Sequence, residues 1–327
     1  MLEAIIQKIL FLFNPEVAHR LGLALIRLRY SAWCAPKTHK ITQKPINLFG
    51  LDFPNPIGMA AGWDKDAVCF DALFRMGFGF VEVGTVTPKA QPGNPKPRLF
   101  RIKKQQALIN RMGFNNLGID ALVEKIRVRK APGILGVNIG KNKETSLQNA
   151  IDDYQVCLKA VFPYTDFVTI NISSPNTPDL RKLQSQDYLN NLLRELNTTR
   201  KQLSGQYQKH LPLLVKTTVD LPISDYESFV NTLIDNQIDG IIISNTTVNH
   251  HFKEAGGLSG RPLREATTKM IQAISALSQS KLPIVGVGGI LNAKDAAAHT
   301  QAGAQLLQIF TGFVYCGPKL LNQLLLL

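Results

Sequence analysis

Residues 171–178, with the sequence NISSPNTP, bring together amides and hydroxyls that could bind a polar ligand. They follow DFVTI (166–170), a short apolar, partly β-branched run that is typical of a buried strand. Pro175 and Pro178 fix φ locally and hold their neighbours extended. A strand that ends in a rigid loop of uncharged hydrogen-bonding groups suits a flat, polar heterocycle. The same residue types also dominate ordinary turns, so this segment alone fits either interpretation.

Glycines and lysines at other predicted strand ends indicate an anionic ligand. Residues 284–290 (IVGVGGI) and 305–312 (QLLQIFTG) place glycines after two apolar runs, where bare backbone N–H groups can approach a phosphate. Tight packing of a helix on a strand is the alternative. Lys65 and Lys216 also sit at strand ends, where a lysine is costly unless it faces an anion or reaches solvent. The amide-rich segment 110–116 (NRMGFNN) can add further groups over the same site.

Short apolar runs that alternate with helical patterns must position these groups. Eight such runs follow residue 55, and the segments between them, such as 117–129, 187–203 and 226–236, are amphipathic. The runs are 56–60, 80–84, 134–139, 167–171, 213–216, 240–244, 284–287 and 305–309. This alternation predicts an α/β fold with a parallel sheet, and its size fits a (β/α)₈ TIM barrel. A doubly wound open sheet is the alternative.

In a barrel the carboxyl ends of all strands meet at one mouth. All eight runs end in small, amide, hydroxyl or lysine residues, which would line that mouth together. These endings are Ala61-Gly62 with Asp64-Lys65, Thr85, Asn138, Asn171 with Ser174, Lys216, Ser244-Asn245-Thr246, Gly288-Gly289 and Thr311-Gly312.

The composition is that of a globular protein in a reducing compartment. The 327 residues are 45% hydrophobic and 19% charged, and the four cysteines include no CxxC pair, so neither a metal site nor a disulfide framework is predicted. The net charge of +13 fits nucleic acid, an anionic membrane surface or anionic ligands. No apolar run is long enough to span a membrane, and no signal peptide is predicted.

The first 45 residues form a separate unit in this interpretation. Residues 1–30 predict two short amphipathic helices broken at Asn14-Pro15, and 31–45 reads as a linker. Residues 46–53, turning at Gly50, predict a small hairpin. The predicted organisation is therefore a helix pair with its linker (1–45) and a barrel (46–327).

The chain resembles the quinone-dependent, membrane-associated class of dihydroorotate dehydrogenase along nearly its whole length. Ordered matches at many separate motifs make this resemblance highly specific. They are AAGWDKD (60–66), EVGTVTP (82–88), QPGNPKPR (91–98), NRMGFNN (110–116), GVNIGKN (136–142), NISSPNTP (171–178) with LR (180–181), SNTT (244–247), GGLSGRPL (256–263) and GVGGI (286–290).

The resemblance implies FMN in the barrel mouth with dihydroorotate stacked on it, in pyrimidine biosynthesis. The implied cofactor-binding residues are Ala61, Gly62, Trp63, Asp64, Lys65, Thr85, Asn138, Asn171, Lys216, Ser244, Gly260, Gly289, Phe310 and Thr311. The implied substrate-binding residues are Lys65, Asn110, Arg111, Met112, Gly113, Phe114, Asn171, Asn176, Asn245 and Thr246. Relatives often have threonine and tyrosine where this chain has Ser244 and Phe310.

Ser174 matches the catalytic base of this class, whereas cytosolic relatives have a cysteine there. A serine hydroxyl is a poor base, so its proton must pass onward through Thr177 or water while compensating charge builds up at Lys216 and the reduced flavin. Amides can bind the anionic product without the repulsion that carboxylates would cause.

The N-terminal helix pair also matches this class, in which it surrounds a quinone tunnel and touches the membrane. PEVAHR (15–20) matches the second helix of the family, and His19 and Arg101 match tunnel positions. A short basic amphipathic pair suits an anionic bilayer surface. We therefore expect a monomeric, peripheral protein on the cytoplasmic side of the inner membrane, with a membrane quinone as its partner and no nucleic acid.

Two other functions remain open at the level of the residues. One is an FMN barrel that acts on RNA, similar to a tRNA-dihydrouridine synthase, which the positive charge favours. Such enzymes usually have a cysteine acid and an additional RNA-binding domain. The other is a non-catalytic phosphate-binding barrel, which would not need Ser174, Lys65 and the ring of asparagines together.

Overall fold

The computed structural model describes residues 2–31, 45–177 and 179–327 of the chain. Two helices come first, α1 (Leu2–Leu10) and α2 (Pro15–Arg29), and Asn14 caps α2 by accepting a hydrogen bond from the N–H of Glu16. These helices confirm the predicted pair and its break. The predicted linker 31–45 lies outside the described residues except at its two ends.

A small antiparallel hairpin follows, in which β1 (Ile46–Leu48) pairs with β2 (Leu51–Phe53) as predicted. Eight parallel strands then close into a barrel, so the predicted TIM barrel is confirmed and the open sheet is wrong. The barrel strands, in their order around it, are β3 (Ile57–Met59), β4 (Phe80–Val86), β7 (Ile134–Ile139), β8 (Phe167–Asn171), β9 (Leu213–Thr218), β10 (Gly240–Asn245), β12 (Ile284–Val287) and β13 (Leu306–Ile309).

At least one helix follows every barrel strand in the chain. The helices are α3 (Phe70–Met76), α4 (Ile119–Ile126), α5 (Ala150–Val161), α6 (Gln186–Tyr207), α7 (Tyr226–Asp235), α8 (Arg264–Ser278), α9 (Ala293–Gln301), α10 (Thr311–Cys316) and α11 (Pro318–Leu324). Because these helices cover the sheet from outside and side chains fill it from inside, the strands are buried on both faces. Their sequences therefore read as continuous apolar runs.

The interior of the barrel changes from apolar to polar along the strands. A cluster that includes Phe80, Phe167 and Leu214 fills its amino-terminal part. Two residues further along the same strands stand Glu82, Thr169 and Lys216, all buried. Since alternate residues of a strand share a face, these polar groups lie above the apolar cluster, toward the mouth.

A second small sheet was not predicted from the sequence. It consists of β5 (Leu99–Ile102), β6 (Ala107–Asn110) and β11 (Gly257–Gly260), and β6 pairs antiparallel with both others. The sheet connects the long segment after β4 to the segment after β10. It thereby brings residues 110–116 to the barrel mouth, as the amide-rich sequence suggested.

Candidate active site

One continuous cavity of about 1130 Å³ extends from the barrel mouth to α1 and α2. All of the predicted site residues line it except Asn138 and Arg111. At the mouth it reaches Asn171, Ser174 and Lys216, and at the other end it reaches His19 and Arg101. The structure therefore brings the predicted cofactor, substrate and quinone residues to a single space.

A hydrogen-bonded network of polar side chains forms the floor of the mouth. Oδ1 of Asn138 accepts from Oγ1 of Thr85 at 2.5 Å and from Nδ2 of Asn171 at 3.0 Å. Nδ2 of Asn138 donates to Oε1 of Glu82 at 2.6 Å, and Nε2 of Gln308 donates to Oε2 of Glu82 at 2.5 Å. Asn138 thus acts from below the cavity by fixing the orientation of Thr85 and Asn171.

Lys216 places a cation in this buried floor. The residue is only 6% exposed, and burial lowers the pKa of its ammonium group, while the nearby Glu82 carboxylate opposes that shift. It forms no ion pair within the part of the chain that the structure describes. A buried cation that faces a cavity is arranged to receive a negatively charged ligand.

The loop after β8 presents Ser174 to the cavity. Its Oγ accepts a hydrogen bond from the backbone N–H of Asn176 at 3.3 Å, and the residue is 6% exposed. The neighbouring hydroxyl differs, because Ser173 Oγ donates to Oδ1 of Asn171 and accepts from Nδ2 of Asn245. Oγ1 of Thr177 is buried and has no hydrogen-bond partner among the described residues.

The predicted substrate residues converge from four segments, which lie at or after the ends of β3, β6, β8 and β10. Nζ of Lys65 donates to Oδ1 of Asn115 at 2.6 Å, and Nδ2 of Asn176 donates to Oδ1 of Asn110 at 3.1 Å. Thr246 lines the cavity, and its buried Oγ1 has no partner in the described part of the chain. These amides, the hydroxyl and the ammonium group leave polar atoms available to a small anionic ligand.

Two predicted residues direct their side chains elsewhere. The carboxylate of Asp64 accepts from the backbone N–H groups of Val68 and Cys69, and burial raises its pKa to about 6. The guanidinium of Arg111 contacts Glu254 at 3.3 Å and lies over the ring of Phe100. These side chains hold the loops around the site, and any ligand contact from Arg111 would come from its backbone.

Several glycines at the mouth adopt backbone conformations that other residues avoid. Gly289 has φ +76°, and a Cβ there would lie 2.6 Å from the backbone nitrogen of Arg264, at the start of α8. Gly260 has φ +92°, and a Cβ there would lie 2.3 Å from the carbonyl oxygen of Gln106. The glycines thus let the backbone pass very close to the first turn of α8 and to the second sheet.

Aromatic rings line the cavity between the mouth and the helix pair. The indole of Trp63 packs edge-on against His19, Phe310 and Phe313, at centroid distances of 5.1–5.4 Å. Burial lowers the pKa of His19 to about 4, and the His19 side chain has a hydrogen bond to the backbone of Trp63. His19 is therefore neutral near pH 7, and it lies against the Trp63 ring in the same cavity.

Arg101 connects the second sheet to the end of α1. Its guanidinium donates to the carbonyl oxygen of Phe13 at 2.9 Å and to that of Leu10 at 3.4 Å, and it lies over the ring of Phe11. A cation at the carboxyl end of a helix stabilises that end. Arg101 thus lines the cavity and also fastens α1 to β5.

The structure adds residues that were not predicted, namely Glu82, Gln308 and Asn115. Glu82 and Gln308 interrupt the apolar runs of β4 and β13, two positions after Phe80 and Leu306. A polar residue in phase with inward-facing apolar ones was the available signal. Asn115 lies within the amide-rich segment and is identified here by its bond to Lys65.

The fold and the polar mouth define a (β/α)₈-barrel enzyme. The sequence profile of the dihydroorotate dehydrogenase family matches residues 45–325. Two bacterial proteins named dihydroorotate dehydrogenase (quinone) are similar over the whole chain. The one from Idiomarina loihiensis is 47% identical over 98% of both chains, and the one from Marinomonas sp. is 48% identical over 97% of this chain and 94% of its own.

A crystal structure of the Eimeria tenella dihydroorotate dehydrogenase in complex with ferulenol superimposes with a TM-score of 0.87. It is 35% identical and covers 95% of this chain and 90% of its own. The chain belongs to the dihydroorotate dehydrogenase family, and it is an oxidoreductase. The family serves pyrimidine biosynthesis and is generally FMN-dependent.

Proposed function

We infer that the protein oxidises dihydroorotate to orotate and passes the electrons to a quinone. The carrying observation is the single cavity that joins the polar mouth to the helix pair. A substrate with a carboxylate and an imide ring matches the amides and lysine at one end. A lipophilic acceptor matches the apolar lining between α1 and α2 at the other.

The mouth fits FMN, and the residues predicted to bind it are proposed to do so. Gly289 brings its backbone close to the first turn of α8, where N–H groups can hold a phosphate. Lys216 is a buried cation without an ion pair in the described chain, and Thr85 and Asn171 are held in fixed orientations. When bound, FMN accepts the hydride from C6 of dihydroorotate and later yields its electrons to the quinone.

Ser174 is proposed to remove the proton from C5 of dihydroorotate. Its Oγ already accepts the backbone N–H of Asn176, which favours the developing negative charge on that oxygen. The hydroxyl proton must leave as the C5 proton arrives. Thr177 lies in the same loop, two residues before Asp179. Its buried hydroxyl has no hydrogen-bond partner among the described residues, so this hydroxyl can pass the proton on.

The substrate is proposed to bind through charge at one edge and amides at the others. The Lys65 ammonium is proposed to face the substrate carboxylate. Burial and the nearby Arg98 lower its pKa to about 8, so it remains charged at pH 7. Asn110, Asn176 and Asn245 bind the ring carbonyl and N–H groups, because an amide offers both a donor and an acceptor.

The quinone is proposed to bind between the helix pair and the rings of Trp63 and Phe310. His19 is neutral, so it can exchange hydrogen bonds with a quinone oxygen without adding charge. The Arg101 guanidinium is a second donor at this end. Trp63 and Phe310 pack against each other and line the cavity between this end and the mouth.

The helix pair is proposed to rest on an anionic membrane surface. Leu12 is 84% exposed and Leu28 is 70% exposed, although both are large and apolar. No helix in the described ranges is long and apolar enough to cross a membrane. Such helices lie in the interface. We place the protein as a monomer on the cytoplasmic side of the inner membrane, with residues 1–45 as its membrane unit, 46–327 as its barrel and no nucleic-acid partner.

The two alternative functions are not favoured. The family match spans nearly the whole barrel, and the relatives reported above are dihydroorotate dehydrogenases. The helix pair also contributes to the cavity, which neither an RNA-modifying barrel nor a phosphate-binding scaffold requires.

Anaerobic mixing with dihydroorotate tests the proposed function. We expect the flavin absorbance of the purified protein to bleach within one turnover and to recover when a lipophilic quinone is added. A colourless preparation that does not take up FMN would contradict the cofactor. A yellow preparation that dihydroorotate does not bleach would contradict the substrate.

A further inference from the structure

An ion pair joins the helix pair to the barrel close to the substrate residues. Both carboxylate oxygens of Glu16, in the first turn of α2, accept from Arg98, at 3.1 Å from Nε and 3.2 Å from Nη2. The side chain of Arg98 is 7% exposed and that of Glu16 is 16% exposed. The two bonds are charge-assisted and bidentate, which is the strongest geometry for such a pair. Because the pair is largely buried, removing one partner leaves a buried charge without its counter-ion.

Arg98 uses its remaining nitrogen to hold a loop. Nη1 donates to the carbonyl oxygens of Pro92 and Asn94, at 2.6 and 2.9 Å. The amide of Asn94 then donates to the carbonyl oxygens of Arg111 and Asn176, at 3.1 and 3.2 Å. An unbroken series of contacts therefore runs from α2 to two of the segments that form the substrate pocket.

We propose that Glu16 is a positioning residue for dihydroorotate, which acts through Arg98 and Asn94 so that docking of the helix pair strengthens substrate binding at the barrel mouth. This inference rests on the proposed function of the mouth. Glu16 itself touches neither the substrate nor the reacting atoms in this account. Its effect is to keep Asn176 and the backbone of Arg111 in place and to neutralise Arg98.

Glu16 and Arg98 also affect the pKa of Lys65, which lines the same pocket. The charged groups that act on Lys65 are Arg98, which lowers its pKa, and Asp66 and Glu16, which raise it. His19 also faces it but is neutral above a pH of about 4. Without the Glu16 charge the Lys65 pKa falls below about 8. The affinity for an anionic ligand is lost as pH rises through this pKa, so the loss must then begin at lower pH.

Orotate titrations of the oxidised, FMN-loaded enzyme test the proposal. The Kd is read from the change in flavin absorbance at several pH values. For Glu16→Gln, which keeps the size of the side chain, we expect the Kd at pH 7 to rise roughly tenfold, within the usual range of coupling between sites. We also expect the decline of affinity to begin at lower pH than in the wild type.

A second variant separates geometry from charge. Asn94→Ala removes the amide that holds Arg111 and Asn176 while leaving every charge, so its Kd should rise without a displacement of the pH profile. Glu195→Gln is the matched control, because Glu195 is a 41% exposed carboxylate that pairs with Arg194 on α6, away from the site. Its orotate binding should equal that of the wild type.

Three results would overturn the proposal. One is that Glu16→Gln binds orotate like the wild type at every pH. Another is that the apparent loss of affinity disappears when binding is counted per folded, FMN-loaded molecule. The third is that Glu195→Gln weakens orotate binding as much as Glu16→Gln does. If the wild type itself fails to bind orotate, the proposed function is rejected, which is a different outcome from a silent Glu16.

Discussion

The barrel mouth and the helix pair are the two ends of one cavity, and they are built in opposite ways. At the mouth, Thr85, Asn138 and Asn171 bond to one another across neighbouring strands and are almost fully buried. In α2 only Ala18 is fully buried, and large apolar side chains face outward. Groups that must be held within fractions of an ångström lie on rigid strands, whereas the helix pair, which we propose to meet lipid, leaves large apolar side chains exposed.

We propose that each region serves one half-reaction. Hydride and proton transfer need fixed distances, which the bonded network of the mouth supplies. A long-tailed quinone needs an apolar entrance, which the two helices would supply in their proposed role. Damage at one end should therefore spare the chemistry at the other, and the following predictions test that separation.

Ser174→Ala should have the largest effect. Removing the general base should slow flavin reduction by dihydroorotate roughly 10²–10⁴-fold, while FMN content and orotate binding stay unchanged. Anaerobic stopped-flow absorbance measures the rate. The matched control is Ser173→Ala, which removes the neighbouring hydroxyl that bonds to Asn171 and Asn245. Equal losses in both variants would show that the loop, and not the Ser174 hydroxyl, matters.

Deletion of residues 2–30 should break the other end. Reoxidation by a long-tailed quinone should fall on the order of 10²-fold, because the acceptor loses the surface that positions it. The maximal rate of flavin reduction at saturating dihydroorotate should remain. A small water-soluble quinone is the control acceptor and should still reoxidise the flavin. Loss of both maximal rates would mean that the helices are needed to hold the barrel together.

Lys216→Met should alter the reduction potential of the flavin. Without the buried cation the anionic reduced form is less stable, so the potential should fall by roughly 30 mV or more, which is ~1.4 kcal/mol for two electrons. Spectroelectrochemical titration measures it. Lys141→Met is the matched control, because Lys141 is also buried but donates its hydrogen bonds to the carbonyl oxygens of Asn142 and Thr145. An unchanged potential in Lys216→Met would contradict the role of the cation.

Arg101→Gln should have the smallest effect. It removes the cation from the carboxyl end of α1, a contribution of about 1 kcal/mol, so reoxidation by quinone should slow roughly fivefold. Flavin reduction should not change. Lys103→Gln, on the same connection between β5 and β6, is the charge control. A slower reductive half-reaction in Arg101→Gln would show that the two ends are not separable at this residue.

Much of the barrel could be predicted because its signals are local. Each strand is a short apolar run, and residues 171–178 follow their strand directly. The second sheet could not be predicted, since β11 is a glycine-rich segment whose partner β6 lies about 150 residues earlier in the chain. Nothing near Gly257 indicates that pairing, which depends on the closed barrel bringing the two loops together.

The same limit applies to the site. Lys65, Ser174 and Lys216 were predictable because they end strands at a shared mouth. The role of Glu82 could not be predicted, because it depends on Asn138 and Gln308, which come from other strands. Glu16 and Arg98 are 82 residues apart, so their contact depends on how the helix pair docks.

The most direct test of the central claim compares both half-reactions in both damaged proteins. Ser174→Ala and the protein without residues 2–30 are each reduced and reoxidised in anaerobic stopped-flow experiments, with dihydroorotate and a long-tailed quinone. Dithionite reduces Ser174→Ala before its reoxidation is followed. We predict that Ser174→Ala loses only reduction by dihydroorotate and that the shortened protein loses only rapid reoxidation by the quinone. Loss of both maximal rates in either protein would contradict this separation of the two ends, and so would a shortened protein that still reacts with the quinone at the wild-type rate.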